Sequence, residues 1–394
     1  MKKLTSFITF SIAFTIFSCS SSDSVSTPTE TYPNVIAAFS GKIDLNNLSN
    51  YANQSKPAYI TKDNTAGNPI TDKGATLGRV LFYDKNLSSN NTISCASCHI
   101  QANAFGDDTD ASDGVNGTTT RHAMRLVNSR FSNETKFFWD ERATTLEAQT
   151  SQPIQNHIEM GFSGTSGDGS ITTLITKLQA IGYYKELFKY VYGSEEITET
   201  KLQNALAQFI RSIQSFDSKY DIGRAAVQND NQPFSNFTAQ ENQGKNLFLT
   251  PPVFDTSGVR ISGGFGCAGC HAPPEFDIDP NTKNNGVIGV LNGTGIDITN
   301  TKAPSLRDLL NANGTPNGPM MHTGSFATLQ NVIGHYGTIT IAPRNTNLDP
   351  RLTPSGFGQQ LNINATEVTA LIAFIKTLTG TNVYTDPKWS SPFK

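Results

Sequence analysis

Cysteine is scarce in this chain, and nearly all of it is already committed. Of five cysteines in 394 residues, four stand in two short repeats, Cys95-Ala96-Ser97-Cys98-His99 and Cys267-Ala268-Gly269-Cys270-His271; the fifth, Cys19, ends an apolar N-terminal run. No cysteine remains for a structural disulfide. Long hydrophobic runs are missing as well. The longest, Leu4 to Phe17, holds 14 apolar or hydroxyl residues, short of the ~20 that a spanning helix needs. An excess of one charge is also absent. The net charge is −3, and losing Lys2 and Lys3 with a leader leaves 28 basic against 33 acidic residues, or −5, which excludes nucleic-acid binding by a basic surface. No stretch sustains the apolar and polar alternation of half-buried strands.

What is present begins with an export signal. Lys2 and Lys3 precede the apolar run, and Ile16-Phe17-Ser18-Cys19 reads as the cleavage box of a bacterial lipoprotein. Residues 1–18 are then a lipoprotein signal peptide and Cys19 the lipid anchor; an ordinary secretory leader with a spare cysteine is the rival. Either way the protein leaves the cytoplasm for the periplasm or cell envelope and touches the membrane only through lipid. Residues 19–42, rich in Ser, Thr and Pro, read as a flexible tether.

The two repeats have the form of covalent haem attachment sites. Two thiols three positions apart add to the two vinyl groups of one porphyrin, and the following histidine turns its imidazole onto the iron. A zinc half-site or a redox dithiol are the rivals for a bare Cys-x-x-Cys pair. The immediate histidines and the export signal favour two covalently bound haem c groups, with Cys95, Cys98, Cys267 and Cys270 as attachment points and His99 and His271 as iron ligands.

The surroundings of the repeats match as well. Leu77, Val80, Leu81 and Phe82 recur at helical spacing before the first motif; Thr238 and Glu241 make a capping box for a helix with Leu247 and Phe248 before the second. Gly78 stands 17 residues before Cys95 and Gly244 stands 23 before Cys267. Ala104-Phe105-Gly106-Asp107 follows one motif and Pro274-Glu275-Phe276-Asp277 the other. This is an internal duplication with an insertion. Further amphipathic helices carry Leu174, Ile175, Leu178 and Ile181; Leu202, Leu206, Phe209, Ile210 and Ile213; and, capped by Asn364 with Glu367, Val368, Leu371, Ile372, Ile375 and Leu378 up to Gly380. Segments 101–120 and 278–300 read as loops. The expected fold is mainly α, two cytochrome c-like haem domains with long ordered loops.

Between the motifs stand Phe137-Phe138-Trp139-Asp140-Glu141-Arg142-Ala143, then Gln149, Pro153 and Glu159-Met160-Gly161; later come Ala303-Pro304-Ser305-Leu306-Arg307 and a run from Gly318 to Tyr336 with His322, Gly324, Thr328, Leu329 and Val332. Over residues 70 to 380 the chain resembles the bacterial dihaem cytochrome c peroxidases and the related dihaem enzyme that matures methylamine dehydrogenase. The resemblance implies a peroxidatic N-terminal haem domain, 43–215, and an electron-transfer C-terminal haem domain, 216–394. It implies that Glu159 moves protons on peroxide, Gln149 orients it and Trp139 bridges the haems. It implies electrons from a small c-type cytochrome or copper protein, spent on hydrogen peroxide.

Two departures qualify this. Tyr336 stands where peroxidases of the family carry the Met ligand of the second haem and where the maturation enzyme has Tyr; Met320, Met321 and His335 rank behind it. Arg121-His122 holds a histidine where relatives have an Asn that helps bind calcium, so Ca2+ is left open, since imidazole is a poor ligand for a hard cation. No histidine lies between 100 and 121, which leaves the first haem open unless His122 covers it. The alternatives are oxidation of a partner protein's aromatic residues, with Tyr336 favouring it, and a dihaem carrier without catalysis. His157 and His322 read as structural or haem-edge residues.

Overall fold

A glycine near the middle of one helix lets a second helix cross it, and the chain uses this device twice. In the computed structural model, which describes residues 1, 31–132, 136–278 and 282–393, α1 spans Pro33–Phe39, α2 Asp72–Tyr83, α3 Cys95–Cys98, α4 Leu146–Thr150, α5 Ile171–Gln179, α6 Gly182–Tyr192, α7 Glu199–Ser212, α8 Lys219–Ala225, α9 Ala239–Leu249, α10 Leu329–Gly337 and α11 Ala365–Lys376. Helix α2 packs on α7, and α9 on α11. A Cβ at Gly78 would stand 2.0 Å from the Ala205 carbonyl oxygen, and one at Gly244 would stand 1.9 Å from that of Ala370. Only a bare backbone permits such an approach.

The duplication extends into the cores. Phe82, Phe105 and Phe209 pack together in the first, with centroid separations of 5.1 and 6.0 Å about Phe82. Phe248, Phe276 and Phe374 do the same in the second, at 5.3 to 5.9 Å. All six are buried, each contributing ~1.5–3 kcal/mol of apolar transfer.

The expected caps at Thr238/Glu241 and Asn364/Glu367 form as reciprocal boxes. Ile181 departs from expectation. It is the N-cap of α6, because the chain turns after Gln179 and starts a separate helix. The loops hold three two-stranded antiparallel hairpins, β1 (Asp113–Gly114) with β2 (Gly117–Thr118), β3 (Pro252–Phe254) with β4 (Arg260–Gly263), and β5 (His271–Ala272) with β6 (Asp277–Ile278). The β3–β4 hairpin lies within the longer spacing before the second motif.

Two expected boundaries are corrected. The tether does not run to 42: Val35 and Phe39 are buried, Glu186 of α6 accepts from the α1 backbone at Asn34 (3.1 Å) and Val35 (2.9 Å), and Phe39 meets Tyr183 edge-on at 5.3 Å. The amphipathic face of α1 outweighs the polar composition around it. Nor does the second domain keep residues to 394. Residues 382–393 return to the first core, where Trp389 is buried and the carbonyls of Lys388, Trp389 and Ser390 accept from Tyr51 (2.5 Å), Tyr83 (2.6 Å) and Arg79 (2.7 Å). Cys19 and the expected signal peptide beyond Met1 lie outside the described residues.

A buried polar cluster joins the two cores. Arg307 pairs with Asp221 at 3.0 Å, Tyr59 donates to Asp221 at 2.7 Å, and Asn128 donates to Glu275 at 3.1 Å. Arg307 holds Asp221 below the usual carboxylate range although burial opposes it. Burial pushes Glu275 up to about 8.

Candidate haem sites

In each motif the thiols lie on one turn. Ser94 and Ser97 cap α3, which places Cys95 and Cys98 three residues apart on one helical face. Gly266, at φ +66°, opens the 3-10 turn Cys267–Gly269 of the second motif. The four sulfurs lie where thioethers to a porphyrin would form. Burial pushes Cys95 to about 12 and Cys98 to about 11, with the charge of Glu159 adding to both, and Cys267 to about 12.

The histidines are oriented alike. His99 Nδ1 lies 3.1 Å from the Phe105 carbonyl oxygen and His271 Nδ1 lies 3.1 Å from that of Phe276. Phe105 and Phe276 have φ of +59° and +55°, which turns both carbonyls inward. A carbonyl at Nδ1 keeps the proton there and leaves Nε2 free for a metal. His271 has a second acceptor, Pro304, also at 3.1 Å. Burial lowers both imidazoles, His271 to about 4, so both are neutral and able to ligate.

Glu159 stands by the first pair of thiols. Its backbone N–H and that of Ile158 donate to the Asn156 side chain at 3.1 and 2.9 Å, and Val115 donates to its carbonyl at 3.0 Å. The β1–β2 hairpin thus presses on this turn, so closely that a Cβ at Gly114 would meet the Ile158 carbonyl at 2.1 Å. The Glu159 carboxylate has no hydrogen-bond or ion-pair partner among the described residues, and burial raises its pKa against a weaker pull from Arg142. Gln149 is half-buried in α4, and no hydrogen bond joins it to Glu159.

A largely apolar cavity of about 450 Å³ surrounds the second motif, lined by Cys267, Cys270, His271, Met320, Met321 and Tyr336 among others. This volume, with two thiols and a free imidazole Nε2, fits a flat, covalently held porphyrin. Tyr336 of α10 is half-buried on the cavity wall, where desolvation raises its phenol pKa. The Asn285 amide reaches both distal candidates, 3.4 Å from Tyr336 Oη and 3.5 Å from Met321 Sδ. Nothing in the sequence singles out Asn285. His335 is off the cavity wall, its Nε2 engaged by the Asn285 carbonyl at 2.9 Å.

Trp139 forms part of the same wall; its Nε1 donates to the His122 carbonyl at 2.7 Å and its carbonyl accepts from Lys302 at 2.8 Å. His122 lines the second cavity, with Nδ1 at 2.9 Å from the Thr109 carbonyl. His322 lies buried 6.2 Å from the Trp139 ring, and His157 pairs with Asp168 at 2.9 Å near the surface. No cluster of three or more His, Cys, Asp or Glu among the described residues is placed to hold a metal ion.

Two matched modules, each with paired thiols and a carbonyl-held histidine, define a protein that carries two covalent haems. The family model described as di-haem cytochrome c peroxidase matches residues 72–230. Methylamine utilization protein MauG of Methylophilus methylotrophus is 30% identical over 322 residues, 79% of this chain and 84% of that protein. Cytochrome c551 peroxidase of Nitrosomonas europaea is 28% identical over 320 residues, 78% and 80% of the two chains. The crystal structure of a MauG-like protein associated with microbial copper homeostasis, 29% identical, superposes with a TM-score of 0.66 over 86% of this chain and 99% of that one. The chain belongs to the di-haem cytochrome c peroxidase family, and so to the haem-dependent oxidoreductases.

Proposed function

We propose that the protein reduces hydrogen peroxide to water at the Cys95–His99 site, using two electrons that a small c-type cytochrome or copper protein delivers at the Cys267–His271 site. The observation that carries this is Glu159, a desolvated carboxylate beside the first thiols without a hydrogen-bond or ion-pair partner among the described residues. Haem held at these sites supplies redox-active iron and a place for peroxide. Glu159 accepts the proton from one peroxide oxygen and returns it to the other, which leaves as water. Two protons from solvent and two electrons convert one peroxide to two waters. Gln149 orients the substrate, and Trp139 shortens the electron's path between modules.

In this reading 43–215 is the peroxidatic module, completed by 382–393, and 216–381 is the electron-receiving one. The protein works in the periplasm or cell envelope, held by lipid at Cys19; no helix among the described residues is long and apolar enough to cross a membrane.

The test is turnover of the purified holoprotein with peroxide and reduced c-type cytochrome. Two cytochromes oxidised per peroxide are expected. No turnover with any small donor, together with oxidation of aromatic residues on a partner protein, would transfer the function to a second reading. Tyr336 on the cavity wall favours that one, because a phenolate stabilises ferric iron and lowers the potential at which the second site accepts electrons. Ferric haems that stay low-spin and six-coordinate after partial reduction would make the protein a carrier only.

A further inference from the structure

Arg125 lies between the two proximal loops and contacts both. Its Cγ is 2.7 Å from where a Cβ of Gly106 would be, next to the Phe105 carbonyl that holds His99. Its Nη2 donates at 2.9 Å to Ser305, next to the Pro304 carbonyl that holds His271. Arg125 lines the second cavity, yet its buried Nε has no hydrogen-bond partner among the described residues. No carboxylate among the described residues reaches ion-pair distance of it; Asp308 acts on it only from further away.

The other cations of the cavity wall are accounted for. Arg351 pairs with Asp349 at 2.7 Å, Lys302 donates to the Lys136 carbonyl at 2.7 Å, and Lys283 is exposed. Burial lowers Arg125 to about 10, which still leaves it a cation at neutral pH. A buried charge without a counter-ion is strongly unfavourable, and a guanidinium does not escape by losing its proton. Its missing partner is an anion inside the cavity, and a porphyrin of the c type brings two carboxylates.

We propose that Arg125 is a haem-binding residue whose guanidinium pairs with a propionate carboxylate of the haem held by Cys267 and Cys270. Its positive charge there stabilises the reduced haem and raises the potential at which that site accepts an electron. The proposal rests on the haem reading of the second motif, which a pyridine haemochrome assay checks separately as two haems per chain.

The experiment compares holoprotein with Arg125→Gln and Arg125→Lys by spectroelectrochemical titration and resonance Raman. Arg125→Gln, with both haems attached, is expected to lower the second haem's midpoint potential by at least tenfold in the electron-exchange constant, 59 mV for one electron. Arg125→Lys keeps the charge and recovers most of the potential, but shifts the propionate bending band because the two-pronged contact is lost. An unmoved potential in Arg125→Gln at full haem content would overturn the proposal. Should that variant fail to accumulate with two haems, an unshifted propionate band in Arg125→Lys would overturn it instead.

Discussion

Replacing Glu159 by Gln removes one proton-carrying function and almost nothing else. The side chains have the same shape, and the Glu159 carboxylate makes no hydrogen bond or ion pair with another described residue. The substitution therefore breaks no contact. It relieves the cost of holding a carboxylate out of water. A raised folded pKa contributes stability that is present below the unfolded value and lost as pH rises through the folded one. The Gln variant should accordingly match the wild type in acid and gain on it as pH rises. Its activity should go the other way. Proton transfer by a placed side chain is worth roughly 10²–10⁴-fold, ~3–5 kcal/mol of barrier. Stopped-flow decay of peroxide with the reduced holoprotein measures kcat/KM directly. In the wild type it should fall as pH drops through the raised pKa of Glu159, since only the carboxylate accepts a proton; in Glu159→Gln it should be low and flat. A Gln variant with both haems attached and kcat/KM within tenfold of wild type would refute the assignment.

Gly78→Ala or Gly244→Ala forces a Cβ into a carbonyl at 2.0 or 1.9 Å and should cost at least ~1–3 kcal/mol in a denaturant titration, while Ala at Gly167, which meets nothing within 4 Å but has φ +85°, should cost less. Tyr336→Phe should leave both haems attached and alter the spectrum and potential of the second alone; an identical spectrum would remove Tyr336 as a ligand. Glu275 is pushed up to about 8 by burial, so its stabilising share is present below about 4.3 and lost by pH 8. Wild-type unfolding free energy should therefore fall across that window by on the order of a few kcal/mol, and Glu275→Gln should flatten the slope; parallel slopes in the two proteins would contradict this.

Much of the fold is legible because it is local. Helical spacing marks α2, α7, α9 and α11, and the boxes at Thr238 and Asn364 mark two of their starts, since caps and amphipathic faces depend on neighbours three and four positions away. The distances of Gly78 and Gly244 from their motifs expose the duplication. Why both positions are glycine becomes clear only when Ala205 and Ala370, far along the chain, come to lie across them. Helix α1 and the return of Trp389 to the first core were hidden for the same reason, because what makes each of them favourable is a surface supplied by distant residues.

The sites divide in the same way. Attachment chemistry is a matter of two residue types at fixed spacing, so Cys95, Cys98, His99 and their counterparts can be read directly. The environment that gives them character is not local. Glu159 owes its raised pKa to desolvation by the hairpin and loops around it, Tyr336 and Met321 share the amide of Asn285, and Arg125 is conspicuous only because no anion was folded in beside it. Sequence alone determined the two haem modules and the family; burial, which no single stretch of residues can state about itself, decided which side chains in them are charged, paired or left waiting for a partner.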